Sequence, residues 1–465
     1  MGERLASPAA RRVALAAGLL AWIILCLWCA RGTPPGVDLP AHAAQMQSLA
    51  SLLEGRPELS SRFEAHFVPG YGLVTWLVSP VAIAFHGAGA ARMALFLSMA
   101  GLLPAMALLL RALRQPVALC FLAAPFGFSF AYWYGFLPEL FARTCALLAL
   151  AAWVSVVREH DWKRELLSAA LLAVVALSHL LTFGMLVIGA VALAVLGPRP
   201  IPVRALRAFL PGLAITAWSV VSLRGSLGPG VGNGWRWDGA GHALFFLRNY
   251  QQEGRAGLVA SLVLFVLCLL SARGRGAAPR VLAVVAVWAM VYLLCPRDLG
   301  AATLLCYRLP ALIGLLAVCA AAPLLRSAPR LALATACLVV ALGQVVSFHV
   351  RFRDEVAGLV SVARAEPSRG TVLLGGPRLA WTRFPYLEHF GEWITAREGG
   401  LGTHFFADAA HQPVHARASA PAAPDWSALY VYGNGELPFA SGKWCLQRLA
   451  FQWRRYQRDC PLDGP

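Results

Sequence analysis

The chain has 465 residues, 58% of them hydrophobic and only 14% charged, and its apolar residues come in runs of roughly 17 to 20, the length that crosses a bilayer core. Such a composition excludes a water-soluble globule, an intrinsically disordered chain, a collagen and a small disulfide framework. The formal charge of +17 points to membrane orientation rather than to nucleic acid, because the arginines lie mainly in short loops between apolar runs.

Arg4, Arg11 and Arg12 precede the first apolar run, 13 to 30. Cleavage after it would need small residues on an A-x-A pattern, and Trp28 breaks that pattern. The run therefore reads as an uncleaved anchor with its N-terminus in the cytoplasm. The loop that follows, 31 to 70, carries Asp38, Pro40 and His42. Asp38 predicts the N-cap of a helix with Pro40 in its first turn, and capping alone accounts for an Asp there. His42, four residues on, falls on the same helix face. The pair is also suited to a general base with its orienting partner, or to two ligands of a divalent ion.

Further apolar segments follow at 71–88, 91–110, 117–135, 140–157, 165–180, 181–197, 206–223, 257–272, 280–295, 309–325 and 330–349. If every segment crossed, the basic loops 111–114, 158–164, 199–207, 273–280 and 326–330 would all face outward, against the positive-inside rule. The segment 71–88, with Pro80 in its middle and His86 near its end, is the one assigned to a re-entrant or in-plane hairpin on the outer face, where irregular backbone is tolerated against protein. About eleven transmembrane helices remain, with the C-terminus outside. The Gly-rich loop 224–256, with Trp235 and Trp237, reads as a flexible linker with interfacial anchors.

Ionisable side chains inside spans are costly unless they line a cavity or find partners. Glu139 and Arg143 begin one span, His179 sits at the turn between two, and Arg308 enters another, all toward the outer leaflet. Glu139 and Arg143 are i,i+4, so an internal ion pair is the plainer account of those two. Arg297 and Arg308 flank a short outer loop; Arg suits bidentate phosphate contact, and an Arg at a helix end also snorkels to headgroups. For His179 a backbone carbonyl partner is the common explanation.

After His349 the chain turns polar, with strand-like runs at 371–375 and 428–432 around a helix-like 386–398. This order predicts a small extramembrane α/β domain over 350–465. Cys445 and Cys460 are either its disulfide or two free thiols. His389, Glu392, His404, His411 and His415 match no metal-ligand spacing.

The first-loop Asp38, the in-plane segment after it, the Gly-x-Gly-x-x-Arg92 entry to the next span, the many spans and the outer C-terminal domain resemble the GT-C superfamily of integral-membrane glycosyltransferases. The layout is also similar to that of uncharacterised bacterial multi-pass membrane proteins. The resemblance implies a GT-C-like transmembrane domain over 1–349, with in-plane helices in the outer loop 31–90. It implies transfer of a sugar from a polyprenyl-phosphate donor to an acceptor at the outer leaflet of the bacterial inner membrane. Asp38 would be the general base, His42 would orient it or aid a divalent metal, and Arg308, Arg297 and His179 would hold the carrier phosphate. Glu139, with Arg143, stands where the family has a second acid. The partners implied are the lipid-linked sugar donor and membrane lipids, with no nucleic acid. The competing class is a non-enzymatic transport, export or envelope-assembly component.

The topology is directly testable. A His86→Cys variant should react with a membrane-impermeant thiol reagent from the outside only; modification solely from the inside would refute the assignment of 71–88.

Overall fold

The first long helix of the computed structural model, α1 (Pro8–Ala30), is capped by the Ser7 hydroxyl, which accepts from the Ala10 N–H at 3.2 Å, and has a proline in its first turn. Trp22, Cys26 and Cys29, at helical spacing, are buried, while Val13, Leu20, Ile24 and Leu27 are exposed. A helix apolar on all sides that buries one stripe presents the rest to lipid. The described residues are 7–56, 60, 63–159, 161–196, 201–224, 240–249, 254–272, 278–297, 304–365, the tail strands given below, and 382, 386, 392, 393 and 396.

The next helix, α2 (Leu39–Leu53), is buried along most of its length although it carries Gln45, Gln47, Ser48 and Ser51. It packs against α3 (Leu73–Ala100), which continues through Gly101 into α4 (Leu102–Ala112). Together α3 and α4 form an apolar stretch of 40 residues, about 60 Å at 1.5 Å per residue and twice the thickness of a bilayer core. The stretch breaks at His86, where φ is 58° and ψ 167°. Beyond the break, 87–112 is about 39 Å long and sufficient to cross; the arm 73–85 is about 20 Å and too short. Within the expected hairpin, 73–85 is a single helical arm, and the backbone turns at His86. The break frees the Gly87 N–H, which donates to Oε1 of Gln47 at 2.7 Å. A Cβ at Gly87 would collide with the Ala43 carbonyl and lie 2.7 Å from Gln47 Cβ, so the glycine lets α3 meet the backbone of α2.

The expected span 117–135 is also corrected. It is a 3-10 turn over Val117–Ala123, one short turn of α-helix, α5 (Ala124–Gly127), and another, α6 (Phe130–Tyr134). Pro116, Pro125 and Gly135 interrupt the apolar run, which hydropathy alone does not register. The helix α7 (Leu137–Arg158) then returns, and Arg158 hydrogen-bonds the Ala112 carbonyl. The ends of α4 and α7 therefore coincide, and 117–134 carries the chain back across to Glu139. Next come α8 (Trp162–Ser178), capped by Asp161, α9 (Leu180–Leu196), the short α10 (Val203–Arg207) and α11 (Leu210–Arg224). They are followed by α12 (Ala240–Arg248), α13 (Arg255–Ser271), α14 (Ala278–Leu294) and α15 (Pro310–Cys319). Among the described residues five helices are long and apolar enough to cross a membrane, and five further apolar helices are shorter.

The last helix, α16 (Ala328–Ala365), has 38 residues and runs without interruption past His349. Beyond it lie β2 (Thr371–Gly375), β4 (Ala428–Tyr432), β5 (Trp444–Arg448) and β6 (Trp453–Arg458), in one sheet of order β2-β4-β6-β5. The two runs read as strands, 371–375 and 428–432, are parallel neighbours, with Thr371 opposite Ala428. A second, two-stranded sheet pairs β1 (Phe63–Ala65) of the first loop with β3 (Val414–Ala416) of the tail. Most of the helix expected at 386–398, Cys460 of the Cys445–Cys460 pair, and His389, His404 and His411 lie outside the described residues.

The Gly87 contact sets a stability test. Gly87→Ala should destabilise the folded protein by about 2–3 kcal/mol, because backbone rather than a flexible side chain must move. Gly184→Ala, where an added Cβ meets nothing within 4 Å, should be near neutral; equal thermal shifts in detergent for the two variants would refute the account.

Candidate functional site

At the end of α7 opposite Arg158, five segments meet. The first is the break between α8 and α9 at His179, whose extended backbone (φ −162°, ψ 106°) interrupts the helix. The interruption leaves backbone groups to satisfy, and the loop after β1 satisfies them: Gly70 donates to the Leu177 carbonyl at 3.1 Å, and Leu180 donates to the Gly70 carbonyl at 3.3 Å. Gly70 has φ +91°, and the Leu180 side chain would lie under 3 Å from any Cβ there. Only glycine fits. The staple sets Tyr71 beside His179, ring centres 6.4 Å apart, and beside His42 of α2, 6.2 Å apart.

A second glycine places Asp38. The Tyr134 carbonyl accepts from the Asp38 N–H at 2.8 Å, and a Cβ on Gly135 (φ +83°) would sit 2.6 Å from the Leu39 nitrogen. The start of α2 is thereby held against the turn leading into α7. The Asp38 side chain makes no capping hydrogen bond. Two features explain this correction: Pro40 removes one of the two N–H groups a cap would accept from, and the helical backbone of Asp38 (φ −90°, ψ −9°) is not that of a cap. The carboxylate is half-buried. The His42 ring is buried, and the His42 backbone N–H donates to the Asp38 carbonyl at 3.0 Å.

Glu139 is the charge centre. Its Oε1 accepts from Arg143 Nη2 at 2.6 Å, one turn along α7, and Oε2 lies 3.9 Å from Arg308 Nε. Arg143 also donates to the Ser129 hydroxyl at 2.9 Å and is fully buried, so its guanidinium is committed to α7 and the preceding turn. Arg308 has a 13% exposed side chain. It lies 3.9 Å from the Phe136 ring centre and donates from Nη1 to His179 Nε2 at 3.0 Å. Arginine has only donors, so Nε2 accepts; Nδ1 lies 2.9 Å from the Thr182 hydroxyl and 3.3 Å from the Thr182 backbone N–H. Burial raises the Tyr71 pKa above its ordinary value; Arg308, which hydrogen-bonds the hydroxyl, opposes this, while Asp38 and Glu139 add to it. Tyr71 thus stays protonated. Two arginines flank Glu139, and Arg308 is the more exposed of them.

Of the residues singled out in the sequence, Glu139, Arg143, His179 and Arg308 form one network, with Asp38 and His42 against its Tyr71 side. Arg297 is exposed, its guanidinium 5.9 Å from the centre of the Tyr307 ring. Among the described residues no group of three His, Cys, Asp or Glu side chains forms a metal-ligand cluster.

No family model matches the chain, and no curated protein resembles it in sequence. A solved structure does: the crystal structure of ArnT from Cupriavidus metallidurans bound to undecaprenyl phosphate superposes with a TM-score of 0.54 at 14% identity, covering 99% of this chain and 100% of the other. The chain has the ArnT fold. ArnT is a GT-C glycosyltransferase, in line with the superfamily resemblance read from the sequence.

Within this ArnT-like fold, sequence reading passes over Tyr71, Ser129, Phe136 and Thr182. None is ionised at neutral pH and none breaks a hydrophobic run, so the burial cost that exposes Glu139 or Arg308 gives no signal. It also passes over the C-x-x-C spacing of Cys26 and Cys29. Both are buried in α1, near Tyr132 and Arg353.

The Glu139–Arg143 pair yields a test. Arg143→Met should cost about 3–5 kcal/mol by stranding a buried carboxylate, and the Glu139→Gln/Arg143→Met double variant should recover most of that loss. A double variant no more stable than the single one in detergent melts would refute the pairing.

Proposed function

We propose that the protein is a glycosyltransferase that moves a sugar from a polyprenyl-phosphate donor to an acceptor hydroxyl at the outer face of the bacterial inner membrane. The observation that carries this is the meeting of Asp38, Tyr71, Glu139, His179 and Arg308 in a chain with the fold of ArnT, whose solved structure holds undecaprenyl phosphate.

Asp38, a half-buried carboxylate not spent on its helix, acts as general base. The acceptor oxygen attacks the anomeric carbon as the bond from that carbon to the carrier phosphate oxygen breaks. The hydroxyl proton passes to Asp38, and the phosphate leaves with the bonding electrons, with inversion at the sugar. Arg308 stabilises that leaving group: its fork retains N–H groups beyond those bonded to His179 and Tyr71. Neutral His179 orients Arg308 by accepting from it. Glu139 and Arg143 are positioning residues. His42 backs Asp38 through Tyr71, and Arg297 supplies a second, exposed cation toward the carrier headgroup.

Turnover assayed with several polyprenyl-phosphate sugars in reconstituted membranes tests this. Asp38→Asn keeps the shape and removes the basicity, so it should lower turnover by a factor on the order of 10² to 10⁴ in a folded protein. Arg308→Lys should weaken donor binding, since the charge survives and the fork does not. Near-normal turnover in Asp38→Asn would rule out this base, and transfer from no donor would overturn the reading.

A further inference from the structure

A concave feature lies at the opposite end of the bundle from Glu139. It is a cavity of about 520 Å³ between α7, α9, α14 and α15, within the range of small-molecule sites. Its mouth carries Arg114, Arg158 and Arg280, with Glu159 beside them, and all four are exposed. Arg114 and Arg280 are close enough to Arg158 to act on its charge, with Glu159 opposing them. Three guanidinium groups against one carboxylate make a cationic rim. They come from three separate segments, the turn after α4, the end of α7 and the start of α14, so the fold gathers them.

The walls are apolar. From Arg280 to Trp288 is eight residues of α14, about 12 Å of depth, along which the lining is leucine and valine. Trp288 lies at the buried end, 1% exposed, and its indole N–H has no hydrogen-bond partner among the described residues. Gly189 of α9 faces that nitrogen, and a Cβ added there would be 3.3 Å from it. Trp153, in the same lining, has its N–H satisfied by the Ala205 carbonyl at 2.9 Å.

We infer that this cavity binds an anionic glycerophospholipid of the inner leaflet, its phosphate at Arg114, Arg158 and Arg280 and one acyl chain along the walls toward Trp288. The basic loops set this end on the cytoplasmic side, and basic pockets between helices there suit anionic headgroups. The site shares no residue with the proposed transfer site, so either assignment can fail without the other.

The probe is phosphatidylglycerol with brominated acyl chains, added to the full-length protein in detergent micelles. Bromine quenches nearby tryptophan, and the difference between wild type and Trp288→Phe isolates the indole of interest. That difference should saturate with phosphatidylglycerol. In Arg114→Gln/Arg280→Gln it should need roughly thirtyfold more lipid at low salt, from about fivefold per basic side chain. Both changes are at exposed positions, and mass spectrometry of lipid co-purified from native membranes, enriched in anionic species for wild type and not for the double variant, gives an independent reading. Brominated phosphatidylcholine quenching Trp288 at the same concentration would overturn the headgroup assignment. Displacement by inorganic phosphate alone would overturn the amphiphile, and undecaprenyl phosphate displacing phosphatidylglycerol at lower concentration would overturn the glycerophospholipid in favour of the carrier.

Discussion

Two backbone hydrogen bonds at Gly70 fix the geometry of the candidate site. A helix interrupted inside an apolar bundle leaves an N–H and a carbonyl that neither lipid nor neighbouring side chains satisfy well. Here the interruption falls at His179, and one glycine in a loop more than a hundred residues earlier supplies both partners. The break frees the His179 ring from a helix surface and turns it to Arg308, and the same loop delivers Tyr71. Glu139, Arg143 and Ser129 then complete an arrangement in which every charged group has an opposite charge or a polar neighbour.

The charge pattern of the sequence already separated the two ends of the bundle, because Arg is expensive in hydrocarbon and its placement is correspondingly constrained. The same cost made Glu139, Arg143, His179 and Arg308 stand out. What stayed illegible depended on backbone rather than on side-chain polarity. The break at His86 is set by the approach of α2 to Gly87, a contact between segments about forty residues apart, whereas Pro80 marks a local weakness that the helix absorbs. The run 117–135 is hydrophobic enough for a regular span, and hydropathy does not distinguish a 3-10 turn from an α-helix. Asp38 was read as a cap from a preference that assumes an available N–H at the second helical position; Pro40 takes that N–H away. Tyr71 had no signal at all, since a tyrosine in a polar loop looks solvated until the loop is seen stapled to a helix break.

Arginine is used in three ways in one chain. Arg143, wholly buried and bonded to Glu139 and Ser129, orders the start of α7. Arg308, lying over Phe136 with its fork partly used, keeps an exposed edge. Arg114, Arg158 and Arg280 ring a cavity mouth where they oppose one another, an arrangement that is unfavourable until an anion joins them. Burial and partner number, rather than residue type, separate these uses.

The uninterrupted helix α16 has a structural consequence. At 38 residues it is about 57 Å long, longer than a hydrocarbon core of about 30 Å. Tyr386 of the tail packs on Phe348 and Phe352 of this helix, and the tail strand β3 pairs with β1, between the helix of Asp38 and the loop of Tyr71. The tail thus meets the rest of the chain at two places, the aromatic face of this rod and the strand pair beside the helix of Asp38.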